Sequence, residues 1–350
     1  MKEPRLRRRQ SGRPTVNDVA RLAQCSPMTV SRVINGSSGV REDTRVAVEA
    51  AIKELDYAPN KAARSLAGVS QIRLALLYVN PSAAYLTELL IGGMDAASRL
   101  DAHLVIERCD VGEDKERLIN KLTASGIDGF ILPPPLSDDA ELLALLRRLR
   151  AHAMLIGPGQ AAAHHGAVMI DDYQAALDMT KYILALGHRR IGFIIGNPAQ
   201  SVSALRLAGF RDSMLNAGVP VDEALIQQGE FTYRSGMDAA AKLLAMKERP
   251  TAIFASNDDM AAGCVAAAHR MRLDVPGDLT VCGFDDTALA STIWPELTTI
   301  RQPIREMAEN AIDLLVQDIR LERQKQPRKP RHVSLDYTFI QRESDGPPPA

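Results

Sequence analysis

Apolar positions recur along this chain with two different periods, and the change falls near residue 71. From Thr15 to Leu55 they stand three and four apart, the spacing of one helix face. Val16, Val19 and Ala20 open a first short helix. Thr15 precedes it and Asp18 follows three positions on, which predicts a capping box with Asp in the acidic place. Ser26 has the chemistry of a second N-cap, and Pro27 suits the first helical position, where its missing N–H costs nothing. In that helix Val30, Val33 and Ile34 share a face, while Met28, Ser31, Arg32 and Asn35 project elsewhere. A third helical pattern runs from Asp43 to about Leu55, with Val48, Ala51, Ile52 and Leu55 on one side. Three such helices bury one small core and leave the outer face of the second open. An open face carrying Arg and small polar groups fits a DNA major groove.

From Gln71 the pattern changes to apolar runs of strand length separated by helical stretches. The predicted strands are 72–79, 103–109, 128–134, 167–171, 190–196, 251–256 and 279–286. Their nearly continuous apolar character indicates a largely parallel sheet with crossover helices. Residues 71–341 are about twice the length of one such domain, so two α/β lobes are expected. No GxGxxG follows the first strand and no GxxxxGK[ST] occurs, so neither a dinucleotide site nor a P-loop is supported.

Charge sharpens the division. Residues 1–68 hold 13 Lys/Arg against 7 Asp/Glu, and the rest of the chain 29 against 36. A basic head on an acidic body points to an anionic partner for the head alone. With 46% hydrophobic and 24% charged residues, the 350-residue chain reads as a soluble globular protein of more than one domain. No apolar run approaches the roughly 20 residues of a membrane helix. MKEPRLRRRQSGRP lacks the apolar stretch of a secretory signal. The four scattered cysteines contain no CxxC, which argues against zinc and disulfides and suits a reducing cytoplasm. The adjacent acids Asp285 and Asp286 have no evident nucleophile beside them, and the seven histidines lack the spacing of a zinc site. No catalytic, metal or cofactor site is expected.

TVNDVARLAQCSPMTVSRVING, followed by VREDTRVAVEAAIKELDYAPNKAARSLAG, resembles the DNA-binding head of the LacI/GalR family of bacterial transcription regulators. The specific elements are TVSR-V-[IL]-N and Y-x-P-N-x-x-A-R-x-L. The resemblance implies that Pro27 and Met28 stand where base edges are read, and that Arg32 reaches into the same groove toward guanine. It makes Thr15, Thr29, Ser31, Asn35, Tyr57 and Asn60 candidates for phosphate contacts, which position without specifying sequence. It also implies a hinge helix that folds on DNA, with Leu66 wedged between base pairs and Ala63 and Arg64 beside it in the minor groove. Two departures stand out. Gln24 occupies a turn where the family most often has Gly or Asn, and bears a steric cost if its φ is positive. Pro27 offers no hydrogen bond, which leaves base reading at the helix start to apolar contact from Met28. Cys25 reads as a small buried hydrophobe.

The body resembles the same family, and through it the periplasmic sugar-binding fold, in IDDYQAALDMTKYILALGHRRIGFI, RLAGFRDSM, PTAIFASNDDMAAG and LTVCGFDDTALAS followed by LTTIRQP. The implied fold is an all-α helix-turn-helix head plus hinge helix, joined to a two-lobed α/β periplasmic-binding-protein-like core with mostly parallel sheets. The expected bounds are a disordered basic tail at 1–13, the head at 14–58, the hinge at 59–69, the core at 70–341 and a disordered tail at 342–350. Lobe 1 takes about 70–170 and 303–329, lobe 2 about 171–300 and 331–341, with crossovers near Asp171, Arg301 to Pro303 and Pro330.

Open α/β sheets hold small molecules at strand ends. There the resemblance makes Asp285 the carboxylate that grips ligand hydroxyls or N–H groups, and Arg206 and Asn257 polar contacts. Phe231 is an aromatic platform, Tyr85 approaches from the other lobe, and Ser201 and Ser203 are candidates before Arg206. Asp258, Asp259 and Asp286 are equally explained as helix caps, and His188 as a turn closure. The function implied is a cytoplasmic homodimeric repressor of a carbohydrate-utilisation operon. It would bind pseudo-palindromic double-stranded operator DNA and respond to a small-molecule effector, most simply a sugar. It would not be an enzyme. Rival readings are a nucleobase-, nucleoside- or partner-protein-dependent regulator, and a sugar-binding protein with a vestigial head. QRESDGPPPA carries no leucine heptads, so no tetramer-forming bundle is expected.

Overall fold

The computed structural model describes residues 14–34, 39–57, 71–79, 82–109, 112, 114–160 and 163–349. The chain forms two compact units, Met1–Gln71 and Ile72–Ala350. In the first, α1 (Val16–Leu22), α2 (Pro27–Ile34) and α3 (Glu42–Glu54) surround a core of Val19, Val30 and Val48, all fully buried, with Ala20, Ala51 and Tyr57. The Asp18 carboxylate accepts from the Thr15 N–H at 3.0 Å and from its hydroxyl at 2.6 Å. The Thr29 N–H donates to Ser26 Oγ at 3.1 Å, so Ser26 caps α2 and Pro27 begins it. Gln24 has a φ of 50°, and the steric cost anticipated in that turn is present.

The second unit contains two parallel sheets. One runs β11-β5-β4-β3-β1-β2 and the other β7-β6-β8-β9. Their strands are β1 (Arg73–Tyr78), β2 (His103–Arg108), β3 (Gly129–Leu132), β4 (His152–Ile156), β5 (Gly166–Met169), β6 (Ile191–Ile195), β7 (Ile226–Gln228), β8 (Ala252–Ala255), β9 (Thr280–Cys282) and β11 (His332–Ser334). The antiparallel pair β10 (Thr299–Arg301) and β12 (Thr338–Ile340) runs beside the end of β9, where the Gly283 and Asp285 N–H groups donate to the Thr298 and Ile300 carbonyls. Interior strands such as GFIL in β3 are buried throughout, while the residues of edge strand β2 are half-buried or exposed. The crossover helices are α4 (Ala83–Arg99), α5 (Lys115–Ala124), α6 (Ala140–Arg148), α7 (Asp172–Ala185), α8 (Ser201–Asn216), α9 (Tyr233–Leu244), α10 (Asp258–Arg270) and α11 (Ile304–Arg323). At Gly92 a Cβ would overlap the Arg305 backbone, so the absence of a side chain there lets α4 and α11 approach closely.

Two expected boundaries change. The segment after α11 does not pass to the second lobe at Pro330. β11 first pairs in parallel with β5 on the six-stranded sheet, and the chain crosses only between Ser334 and Thr338. The unpaired edge of β5 is satisfied by the short HVS strand, which carried too little apolar pattern to be noticed. Nor is the end of the chain a loose tail through residue 349. The Val281 N–H donates to the Ser344 carbonyl at 2.9 Å, and the Ser344 hydroxyl accepts from the Thr298 N–H at 2.9 Å. Asp345 accepts from the Tyr182 hydroxyl at 2.5 Å. His188, fully buried, sits between Thr251 Oγ1 (2.8 Å) and the Gly346 carbonyl (2.9 Å). These polar groups satisfy backbone at the β9 edge, a role invisible in a segment rich in Pro and Gly.

Candidate functional site

On the head, α2 presents Pro27, Met28 and Arg32 to solvent, with Met28 67% exposed. A methionine so exposed beside a short capped helix covers no core and is free to contact a partner. Arg32 makes no ion pair among the described residues. Thr15 is exposed with its hydroxyl on Asp18, and the Thr29 hydroxyl lies 2.9 Å from that of Ser26. Ser31 is half-buried. The Tyr57 ring lies in the core of the head, the residue 8% exposed. Cys25 is half-buried against that core. Asn35, Asn60, Ala63, Arg64 and Leu66, with the hinge and the basic tail, lie outside the described residues.

In the second unit a cleft lies between the lobes. Its lining comes from just beyond strand ends, as the crevice rule of open α/β sheets requires. Tyr85 follows β1, Pro134 follows β3 and Gly157 follows β4. Asp172 follows β5, Arg206 lies on the helix after β6, and Phe231 follows β7. Asn257 follows β8, Asp285 follows β9 and Gln302 follows β10. The sequence-derived set of Tyr85, Arg206, Phe231, Asn257 and Asp285 is therefore gathered in one place.

The serines are not. The Ser201 N–H and hydroxyl donate to the Asp138 carboxylate at 3.0 and 2.5 Å, and Ser201 Oγ accepts from the Gly159 N–H at 2.8 Å. Ser203 Oγ donates to the Asn197 carbonyl at 2.7 Å. Both hydroxyls are drawn to polar groups around the start of α8 and turn away from the cleft. Ser201 instead joins the lobes, since Asp138 precedes α6 in the first lobe. On the other side of the cleft the Ser82 hydroxyl donates to Asp259 at 2.5 Å, also across the lobes. The cleft is closed by these bonds.

Arg206 is 4% exposed and fully committed. Its Nε and Nη2 both reach Asp172 Oδ1, at 2.8 and 2.7 Å, and Nη1 donates to the Ser256 carbonyl. Its guanidinium lies 3.6 Å over the Phe284 ring. Asn257 caps α10 by accepting from the Met260 N–H at 2.9 Å, and donates to the Phe231 carbonyl at 3.2 Å. Phe231 has a φ of 57°, an unfavourable conformation that this bond helps hold. Gly196 makes room for the Phe231 ring, which any Cβ there would strike.

Asp285 accepts from Gln302 Nε2 at 2.6 Å. Burial, reinforced by Asp259 and Asp172 and opposed by Arg206 and Gln302, pushes its carboxyl up to about 7. Burial also raises the Asp172 carboxyl and the Tyr85 hydroxyl. Asp258 does not cap a helix. Its carboxylate accepts from the Thr287 N–H at 2.9 Å and the Thr299 hydroxyl at 2.7 Å, and burial followed by Asp285 raises it well above the ordinary range. Asp286 ties Arg301 and Arg342 together at 2.6 and 2.5 Å. Sequence reasoning missed Asp172, Gln302 and Gln200 in the cleft. Asp172 offered a signal, as the second acid of IDD directly after a strand.

Residues 15–60 match the family described as bacterial regulatory proteins, lacI family, and residues 180–344 match the periplasmic binding protein-like domain. The chain is 33% identical over 303 residues to catabolite control protein A of Priestia megaterium, covering 86% of this chain and 91% of that protein. The chain belongs to the LacI family. The PurR transcriptional repressor of Escherichia coli O1:K1 / APEC is 34% identical over 343 residues, 95% of this chain and 98% of its own. Two solved LacI-type structures agree in fold over 95% of the chain. A CelR–cellobiose complex has a TM-score of 0.72 at 31% identity, covered in full, and a lac repressor dimer bound to operator and the anti-inducer ONPF has 0.74 at 27%, 99% covered. This LacI-family chain is thus a DNA-binding transcriptional regulator rather than an enzyme. No described helix is long and apolar enough to cross a membrane.

Proposed function

We propose that the protein is a homodimeric repressor of a carbohydrate-utilisation operon, acting in the cytoplasm, whose affinity for a pseudo-palindromic operator is set by a sugar in the interlobe cleft. The observation that carries this reading is the cleft itself: the Asp285 carboxylate, Gln302 and the aromatic Phe231 line one space, spanned by bonds between the lobes. Carboxylates accept from ring hydroxyls, and an aromatic face covers the apolar side of a pyranose. Arg32 and Met28 read base edges in this scheme, and two-fold symmetry doubles the few bases one short helix covers. The solved CelR–cellobiose complex is a relative with a sugar bound.

The ligand shifts operator affinity only to the extent that it prefers one posture of the lobes. Calorimetry against matched panels of neutral sugars and of purine bases and nucleosides tests the ligand class. A sugar that binds and weakens the operator complex supports the reading, and purine binding without sugar binding overturns it. Titration supplies a second check. A sugar hydroxyl donating to Asp285 requires the ionised form, so affinity should rise about tenfold from pH 6 to pH 8 as a carboxyl of pKa about 7 deprotonates. The folded-state value lies above the ordinary 3.8, so the same group favours folding at low pH and that contribution is lost as pH rises from about 4 to about 7. Affinity flat across pH 6–8 would remove Asp285 from the contact.

A further inference from the structure

A second cationic surface lies on the acidic body. All strands of the six-stranded sheet run parallel, so their starts share one edge: Arg73, His103, Gly129, His152, Gly166 and His332. The cleft lies at the opposite, C-terminal edge. β1, the first strand after residue 71, begins at the starting edge. At this starting edge Arg147, Arg150, His164, His165 and Arg328 line a concavity that holds one carboxylate, Glu322. Glu322 is engaged by His152 Nε2 at 2.5 Å and lies 4.0 Å from Arg328. Arg147 and Arg150 have no ion pair among the described residues.

The chain leading into β11, RLERQKQPRKPRH (320–332), supplies six Lys/Arg against one Glu, in a body that is otherwise acidic. The crowding is felt: after burial, His164, Arg328 and Arg147 each push the His165 ring toward its neutral form. Favourable interaction with helix ends accounts for Arg147, in the last turn of α6, but not for Arg150, Arg328 or Lys329, which lie beyond their helices.

We infer that this edge of the first lobe is a phosphate-contacting surface that engages the DNA backbone flanking the operator, without reading sequence. Guanidiniums on a concave face, those of Arg147 and Arg150 without an ion pair among the described residues, are the chemistry that grips phosphates, and a duplex backbone presents phosphates in a continuous row. The inference rests on the operator-binding reading above.

The test uses the full-length protein with Arg147→Gln, Arg150→Gln and Arg328→Gln combined. Two duplexes are compared, the operator alone and the operator extended by about one helical turn on each side. Wild type should bind the extended duplex more tightly and with a steeper salt dependence, the slope growing by about 0.9 per phosphate contact. For two contacts that is roughly a tenfold greater loss between 50 and 200 mM salt. The variant should lose the extension gain while keeping its affinity for the short operator and its thermal midpoint. If the extension gain survives in the variant, or wild type gains nothing from the flanks, the inference fails while the operator reading stands. If the variant weakens equally on both duplexes, or instead loses only an acidic protein partner, the surface serves another purpose and the inference is overturned. If wild type prefers no duplex at all, the operator reading fails first and this one with it.

Discussion

Arg206→Ala should destabilise the second unit by about 3–5 kcal/mol, the largest effect of any single substitution in the cleft. Its partner Asp172 is 2% exposed and would be left as a buried carboxylate without its cation. The Ser256 carbonyl would lose its donor and the Phe284 face its cation as well. Arg206→Lys should recover only part of the loss, because an ammonium cannot supply the fork or the flat stack. Pairing Arg206→Met with Asp172→Leu should restore much of the stability, since an apolar pair needs no desolvation of charge. Urea denaturation of the three variants measures this. An Arg206→Ala protein within 1 kcal/mol of wild type would mean that the pair is solvated and the cleft open.

Asp285→Ala should behave in the opposite way, sparing the fold and removing the response. Asp285 sits in the protein with its carboxyl raised mainly by burial, so taking away that desolvated charge offsets part of the cost of leaving the buried Gln302 amide without its acceptor. What is lost is an acceptor. Hydrogen bonds to a charged group contribute about 1.5–3 kcal/mol, so effector affinity should fall roughly 10- to 150-fold. Operator binding in the absence of ligand should be unchanged, because Asp285 belongs to the second unit. Anisotropy titrations of operator with and without effector separate the two. A variant that responds like wild type would displace Asp285 from the ligand.

What the sequence disclosed follows from how local each signal is. The Ser26–Pro27 cap, the helix faces of the head and the apolar strands are encoded within a few residues of themselves, and they emerged at nearly the expected bounds. So did the cleft residues that follow strands, since position after a strand is a local property. The exceptions were masked by a neighbouring pattern or set by distant partners. β4 lies in HAMLI, directly after a leucine-rich helix whose pattern masked it. β11 and the Ser344–Gly346 segment become ordered only because a sheet edge elsewhere needs hydrogen bonds. Ser201 looked like a ligand contact by position, but the carboxylate of Asp138, 63 residues earlier, claims it.

The most direct measurement is operator affinity of the full-length dimer, by anisotropy at fixed salt and pH 8, before and after saturation with the sugar found by calorimetry. The expected result is a complex of two chains per duplex whose affinity falls at least fivefold with sugar, the lower end of ordinary allosteric coupling. A monomer on the operator, or an affinity that saturating sugar leaves unchanged, would contradict it.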